Sequence, residues 1–260
     1  MSEFIKIPKI IHYCWFGGQP LPEMAVKCIE SWQKYCPDYE IMEWNENNFN
    51  LEMNDYVKEA YAEKKWAFVS DVARLYALVN YGGIYMDTDV EVIKPLDDLL
   101  VYEAFSGFES DSCIPTGLMA CEKNHHMFIE FLQDYEGDHF KRDDGSLDLT
   151  TNVTRITNIC LKYGLKQNNQ FQSVTGFTLF PKEYLCPKDH ETKEINITRN
   201  TYTIHHFDGS WHSKEDIYYA WLKKKMRFPS SSYVAKCISI IKFRGLKPAI
   251  KEFLGWIKRK

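Results

Sequence analysis

The sequence predicts an α/β fold in which a mixed, mainly parallel central sheet is flanked by helices. Three stretches carry that expectation. IPKIIHYCW (7–15), PEMAVKCIESWQKYC (22–36) and YEIMEW (39–44) read as strand, helix and strand, the first two joined by the Gly/Pro-rich GGQPLP loop. That order opens a parallel layer. WAFVSDVARLYALVNY (66–81) is apolar nearly all round, so it reads as a buried helix, closed by Gly82-Gly83. IYMDTDVEVI (84–93) is an apolar strand interrupted by two carboxylates, and Lys94-Pro95 ends it.

Further segments alternate. AFSGF (104–108), GLMAC (117–121), FQSVTGFTLFP (171–181) and TYTIHHF (201–207) read as strands; HHMFIEFLQDY (125–135) and TNVTRITNICLKYG (151–164) read as helices. The opening helix starts at Pro22-Glu23 and carries Met24, Cys28, Ile29 and Trp32 at helical spacing.

The chain has 260 residues, 45% hydrophobic and 26% charged, which suits one large soluble domain with additions. Aromatic residues make up 15%, a content that serves a bulky core or ring-stacking sites. Its 8 cysteines show no C-x-x-C pairing, so they read as buried thiols in a reducing compartment rather than a zinc site or a disulfide scaffold. The N-terminal apolar stretch is too short and mixed for a signal peptide, and no run reaches the length of a spanning helix. The expected location is the cytoplasm.

Charge is uneven. Net charge is -4, yet residues 223–260 hold twelve Lys/Arg against Glu252 alone, leaving the rest strongly acidic. The expected organisation is one α/β domain over 1–222 and a basic amphipathic helical tail over 223–260. In the tail, Val234, Ile238 and Ile241, then Ile250, Phe253, Leu254 and Ile257, recur at helical spacing among Lys and Arg. Such a helix suits an anionic membrane surface, here the inner face of the plasma membrane, or else packs on the domain with a solvated basic face. Nucleic acid is a poor partner for a chain whose remainder is acidic.

Asp87 and Asp89 are spaced i, i+2, so a regular strand would aim both at one face. Two carboxylates that close repel unless a cation joins them, and a hard divalent ion such as Mn²⁺ or Mg²⁺ takes oxygen ligands and shares them with substrate phosphates. Asp71 and Arg74, spaced i, i+3, share a face of the helix before them. Trp15 ends the first strand beside Gly17-Gly18, where it can stack on a base or simply fill the core. HHFDGSWHS brings His205, His206, Ser210 and Trp211 after a late strand, as metal or phosphate partners or as core residues.

Taken together, IPKIIHYCWFGG, AFVSDVARLYALVNYGGIYMDTDVEV and IHHFDGSW resemble glycosyltransferase family 32, the D-x-D sugar transferases that include capsule and surface-polysaccharide enzymes and fungal mannosyltransferases. More distantly the chain is similar to the glucosyltransferase domain of large glucosylating toxins. The matching blocks cover the first hundred residues and the HHFDGSW segment; the centre is less diagnostic.

The resemblance implies a GT-A fold, a nucleotide-sugar donor, a divalent metal and retention of anomeric configuration. It implies Asp89 as the direct metal ligand and Asp87 as a contact to ribose, sugar or metal. Asp71 and Arg74 would hold sugar hydroxyls and diphosphate, with Ser70 beside them. Trp15 would stack on the base, Asn47 would lie beside the nucleotide, and Tyr85 would line the donor pocket. His205 fits the family pattern better than His206 at the metal, with both left open; Ser210 and Trp211 would meet the β-phosphate.

The expected donor is a UDP-hexose, and the expected acceptor a saccharide or lipid-linked oligosaccharide. Two other readings compete. An aspartyl phosphotransferase also begins with D-x-D at a strand end, but Val90-Glu91 stands where such enzymes carry Thr or Val with a Gly. A non-catalytic saccharide-binding module would need neither nucleotide nor metal.

Overall fold

The computed structural model describes residues 4–110, 112–189, 192–209, 214–226 and 231–258. Two units form: Met1–Asp208 and Gly209–Lys260. The first runs β1 (Ile10–Cys14), α1 (Glu23–Tyr35), β2 (Glu40–Trp44), α2 (Asp55–Ala62), α3 (Trp66–Tyr81), β3 (Gly83–Met86) and β4 (Val90–Val92). It continues with β5 (Ala104–Gly107), β6 (Leu118–Cys121), α4 (His126–Gln133), α5 (Asn152–Lys162), β7 (Gln172–Val174), β8 (Phe177–Phe180), α6 (Lys182–Leu185) and β9 (Thr203–His205). The second unit holds α7 (Lys214–Lys225), α8 (Ser231–Arg244) and α9 (Leu246–Lys258).

Among the described residues the main sheet has seven strands in the order β2-β1-β3-β6-β5-β8-β7. It is the mixed, mainly parallel sheet expected: β6 and β7 run against the other strands. Side chains alternate across it. Ile84 and Met86 pack with Trp32 of α1 on one face, while Tyr85 packs with Val69, Val72 and Leu75 of α3 on the other. Helices therefore cover both faces, as a sheet with two apolar faces requires.

The expected strand FQSVTGFTLFP is instead a hairpin, β7–β8, pairing Val174 with Phe177. Thr175 and Gly176 turn with φ of 46° and 82°, the left-handed pair that tight hairpins favour. Helix α2 is a further difference; its signal was Asn54, whose side chain accepts from Val57 N at 2.9 Å.

A larger departure concerns IYMDTDVEVI. It is not one interrupted strand: β3 belongs to the seven-stranded sheet, and β4 pairs with β9 in a separate two-stranded sheet. Val90 N donates to Asp87 O at 3.0 Å, so Asp87-Thr88-Asp89-Val90 is a β-turn between two sheets. The chain enters β3 through Gly82-Gly83. Gly83 has φ of 104°, and a Cβ there would lie 2.6 Å from Ile10 O. Glycine is needed on both counts.

His12 locks this entrance. Its Nε2 meets Gly82 O at 2.8 Å, and Trp44 Nε1 donates to its Nδ1 at 3.2 Å. Those partners define a neutral ring with the proton on Nε2. Burial pushes its pKa down to about 4, against the help of the Gly82 carbonyl; burial, with His126 nearby, does the same for His125.

Acid stability follows from these two rings. Both fold with pKa values lowered to about 4 from 6.5, so the unfolded chain takes up protons first as pH falls. Their contribution is whole above pH 6.5 and is lost down to about pH 4. Denaturant titrations should show that loss, and His12→Asn should flatten it by up to ~3 kcal/mol. An unchanged profile in the variant would contradict the assignment.

Candidate active site

Helix α3 and strand β3 bring the charged residues together. Arg74 is buried, with Nη2 3.1 Å from Asp71 Oδ1 and Nη1 3.3 Å from Asp87 Oδ1. Nη1 also donates to Thr116 O at 2.6 Å, Nε donates to Ser70 O at 3.2 Å, and the guanidinium lies 4.5 Å from the Tyr85 ring centroid. Tyr85 in turn donates its hydroxyl to Asp87 Oδ1 at 2.8 Å. The expected i, i+3 pair is thus a buried ion pair shared with the first acid of D-x-D.

Electrostatics differ along this chain of contacts. Burial raises Asp71 to about 6, with Asp87 adding and Arg74 opposing. Burial alone would lower Arg74, but Asp87, Tyr85 and Asp71 outweigh it, so the guanidinium keeps its charge.

Asp89 faces the second sheet. Its Oδ1 lies 3.2 Å from His205 Nε2 and its Oδ2 accepts from Asp208 N at 2.8 Å. Burial opposes ionisation of both groups, yet the contact lowers Asp89 and raises His205 well above the ordinary histidine value. The two groups face each other where a cation could sit.

His206, the residue after β9, is placed apart from this group, its Nε2 meeting Glu91 Oε2 at 2.8 Å. Asp87, Asp89 and His205 remain as a group whose ligand atoms all lie within 4.8 Å of one another.

Gly117 completes the space. The β3–β6 register pairs Met86 with Leu118, and one step on Asp87 N donates to Gly117 O at 2.8 Å. A Cβ on Gly117 would lie 2.8 Å from His205 Cε1, 2.9 Å from its Nδ1 and 3.2 Å from Asp87 Oδ2. The missing side chain lets the imidazole and the Asp87 carboxylate close in over bare backbone. Two carboxylates, one imidazole and an open side fit a divalent ion such as Mn²⁺ that completes its shell with phosphate oxygens or water.

The remaining expected residues are more scattered. Trp15, just past β1, donates Nε1 to Gln19 O at 2.5 Å. Beyond it Gly17, Gly18, Gln19, Glu46, Tyr61, Lys64 and Trp66 line a cleft of about 560 Å³. Asn47 lies exposed in the turn after β2, its N donating to Asn45 Oδ1 at 2.9 Å. Ser70 sits on α3 between Trp66 and Arg74; these three are spaced i, i+4, i+8, one stripe about 12 Å long. Ser210 and Trp211 lie outside the described residues.

Three contributors escaped the sequence reading: the Thr116 carbonyl, Gly117 and the Asp208 amide. Gly117 had a signal, since an isolated glycine at a strand start often marks close approach.

Residues 22–106 match the family described as the glycosyltransferase sugar-binding region containing DXD motif. The match spans about a third of the chain. That region includes Asp71, Arg74, Tyr85, Asp87 and Asp89, while Gly117 and His205 join it from outside the match.

Inositol phosphoceramide mannosyltransferase 3 of Schizosaccharomyces pombe is 32% identical over 140 residues, 51% of this chain and 38% of that protein. Mannosyl phosphorylinositol ceramide synthase CSH1 of Saccharomyces cerevisiae is 30% identical over 146 residues, 53% of this chain and 37% of that one. The chain thus spans less than two fifths of the length of these relatives. Among solved structures, the PaToxG glycosyltransferase overlaps with a TM-score of 0.46 at 19% identity, covering 62% of this chain and 72% of that chain.

This grouping is testable in one substitution. Gly117→Ala should keep the fold, seen as an unchanged circular dichroism spectrum, yet weaken Mn²⁺ binding by calorimetry on the order of ten-fold or more. Wild-type affinity in that variant would rule out a cation between Asp87 and His205.

Proposed function

We propose that the protein is a retaining, metal-dependent glycosyltransferase that moves a hexose from a nucleoside diphosphate sugar to a saccharide or lipid-linked oligosaccharide. The observation that carries this reading is the convergence of Asp87, Asp89 and His205, two of them against bare Gly117, beside a buried, charged Arg74. A saccharide-binding module has no use for a buried guanidinium next to a cation cradle. The DXD region supports the same reading.

Asp87, Asp89 and His205 hold the ion in this proposal. A divalent cation bound there supplies Lewis-acid stabilisation of the departing diphosphate. Arg74, fixed by Asp71, Asp87 and the Thr116 carbonyl, offers a positive charge that needs no reorganisation as the leaving group forms. Asp71 and Ser70 orient the sugar hydroxyls at the same turn of α3. The stripe from Arg74 to Trp66 runs towards the cleft beyond Trp15, a distance of the order of a nucleoside diphosphate's length. Trp15 and Asn47 would then flank the base.

Asp71, Asp87 and Asp89 are each engaged with a basic partner, so none of the three is assigned here as a covalent nucleophile. The acceptor hydroxyl therefore attacks from the face that the diphosphate leaves. The bond from the anomeric carbon to the phosphate oxygen breaks, the bond to the acceptor oxygen forms, and the acceptor's proton passes to the departing phosphate. Configuration is retained.

A UDP-hexose is the proposed donor, with both UDP- and GDP-linked sugars within reach of the family. Work on a lipid-linked acceptor would place the protein at the cytoplasmic face of a membrane, in surface-polysaccharide synthesis.

Two measurements test the proposal. Donor hydrolysis with a panel of UDP- and GDP-hexoses in Mn²⁺ should single out one donor, and chelation should abolish the reaction. Asp89→Asn should remove Mn²⁺-dependent nucleotide binding, and Arg74→Lys should lower kcat on the order of 10²-fold while the protein stays folded. Nucleotide binding that survives Asp89→Asn unchanged would sink the metal assignment.

A further inference from the structure

The second unit carries an apolar face that its own helices leave open. On α9, Leu246, Ile250 and Leu254 are spaced i, i+4, i+8 and are 62%, 48% and 52% exposed, beside Phe253, whose ring meets that of Tyr233 of α8 at 6.4 Å. They fall within an arc of about 100°, the width of an apolar stripe that normally faces a core. Ala249, off that stripe, is buried. The helix presents its greasy side to solvent. In the same unit, Trp221 of α7 and Ile241 and Phe243 of α8 are 52%, 46% and 42% exposed.

Basic residues accompany this apolar surface. Lys223, Lys224 and Lys225 end α7, and Lys242 and Arg244 end α8, while Gly245 turns the chain directly into α9. Lys225 lies 4.9 Å from the Trp221 ring centroid and Lys242 3.8 Å from that of Tyr218. From residue 223 onward the sequence balance is twelve basic residues to one acid.

From this we infer that the C-terminal unit docks on an anionic lipid bilayer, with α9 lying in the interface plane. Charge complementarity selects that occupant. A second C-terminal unit would bring a like-charged surface against this one and repel it, whereas an anionic leaflet attracts the lysines and accepts the apolar side chains between its headgroups. Lys and Arg stems can run along the apolar stripe while their charges stay at headgroup level. No helix among the described residues is long and apolar enough to cross a membrane, so the contact is peripheral. The inference stands apart from the sugar transferred, since it uses none of the site residues.

The test uses the full chain and sedimentation with vesicles of phosphatidylcholine alone or mixed with phosphatidylglycerol. Binding to the mixed vesicles should exceed binding to the neutral ones at least about ten-fold and fall steeply with added salt. Ile250→Glu with Leu254→Glu should abolish it, while circular dichroism and donor hydrolysis match the wild type. Equal binding to neutral vesicles, or undiminished binding by the double variant, would overturn the inference. So would concentration-dependent dimerisation that the double variant abolishes in the absence of any vesicle binding. Loss of donor hydrolysis in the wild type would bear on the transferase proposal and leave vesicle binding unaffected.

Discussion

Arg74 buried between Asp71 and Asp87 is the constraint around which the D-x-D end of the sheet is arranged. Taking a guanidinium and two carboxylates out of water is costly, and the cost is offset when each finds several partners. Here the guanidinium has two carboxylates, two backbone carbonyls and the face of Tyr85. Removing either acid would leave buried charge uncompensated, an effect typically of about 3–5 kcal/mol. The triad therefore has to be complete before the D-x-D turn can hold its shape.

Sheet topology sets where that turn goes. Antiparallel pairing of β3 with β6 carries Thr116 and Gly117 alongside Asp87, so one edge supplies both a carbonyl for Arg74 and the space beside the acid. The turn then leaves the seven-stranded sheet for β4, whose partner β9 pairs Val90 with His205. Two sheets meet at four residues. A continuous strand would have set both acids on one face but could not have brought His205 from more than a hundred positions away.

Local patterns in the chain were informative where the cause is local. Helix α3 is legible because its apolar face and terminal glycines are contiguous, and the strands of the β1–α1–β2 opening because alternation and punctuation agree. The hairpin at Thr175-Gly176 was missed because the apolar run on both sides masks its turn. Asp71 with Arg74 could be paired from helix spacing alone. Gly117 had only the general signal of a glycine at a strand start, and His205 was preferred only through the resemblance; their meeting depends on the register of strands distant in sequence.

The two acids of D-x-D end up with different tasks, and the difference lies in their oxygens. Asp89 commits Oδ1 to His205 and Oδ2 to the Asp208 amide, so it belongs wholly to the cradle and the loop after β9. Asp87 is divided. Its Oδ1 receives Arg74 and the Tyr85 hydroxyl, while its Oδ2 points towards the bare α-carbon of Gly117. One carboxylate thus ties the guanidinium on α3 to the Asp87, Asp89 and His205 group. In the proposed transfer, Arg74 and a cation beside Asp87 would together meet the charge of a leaving diphosphate, at a spacing that Asp87 sets.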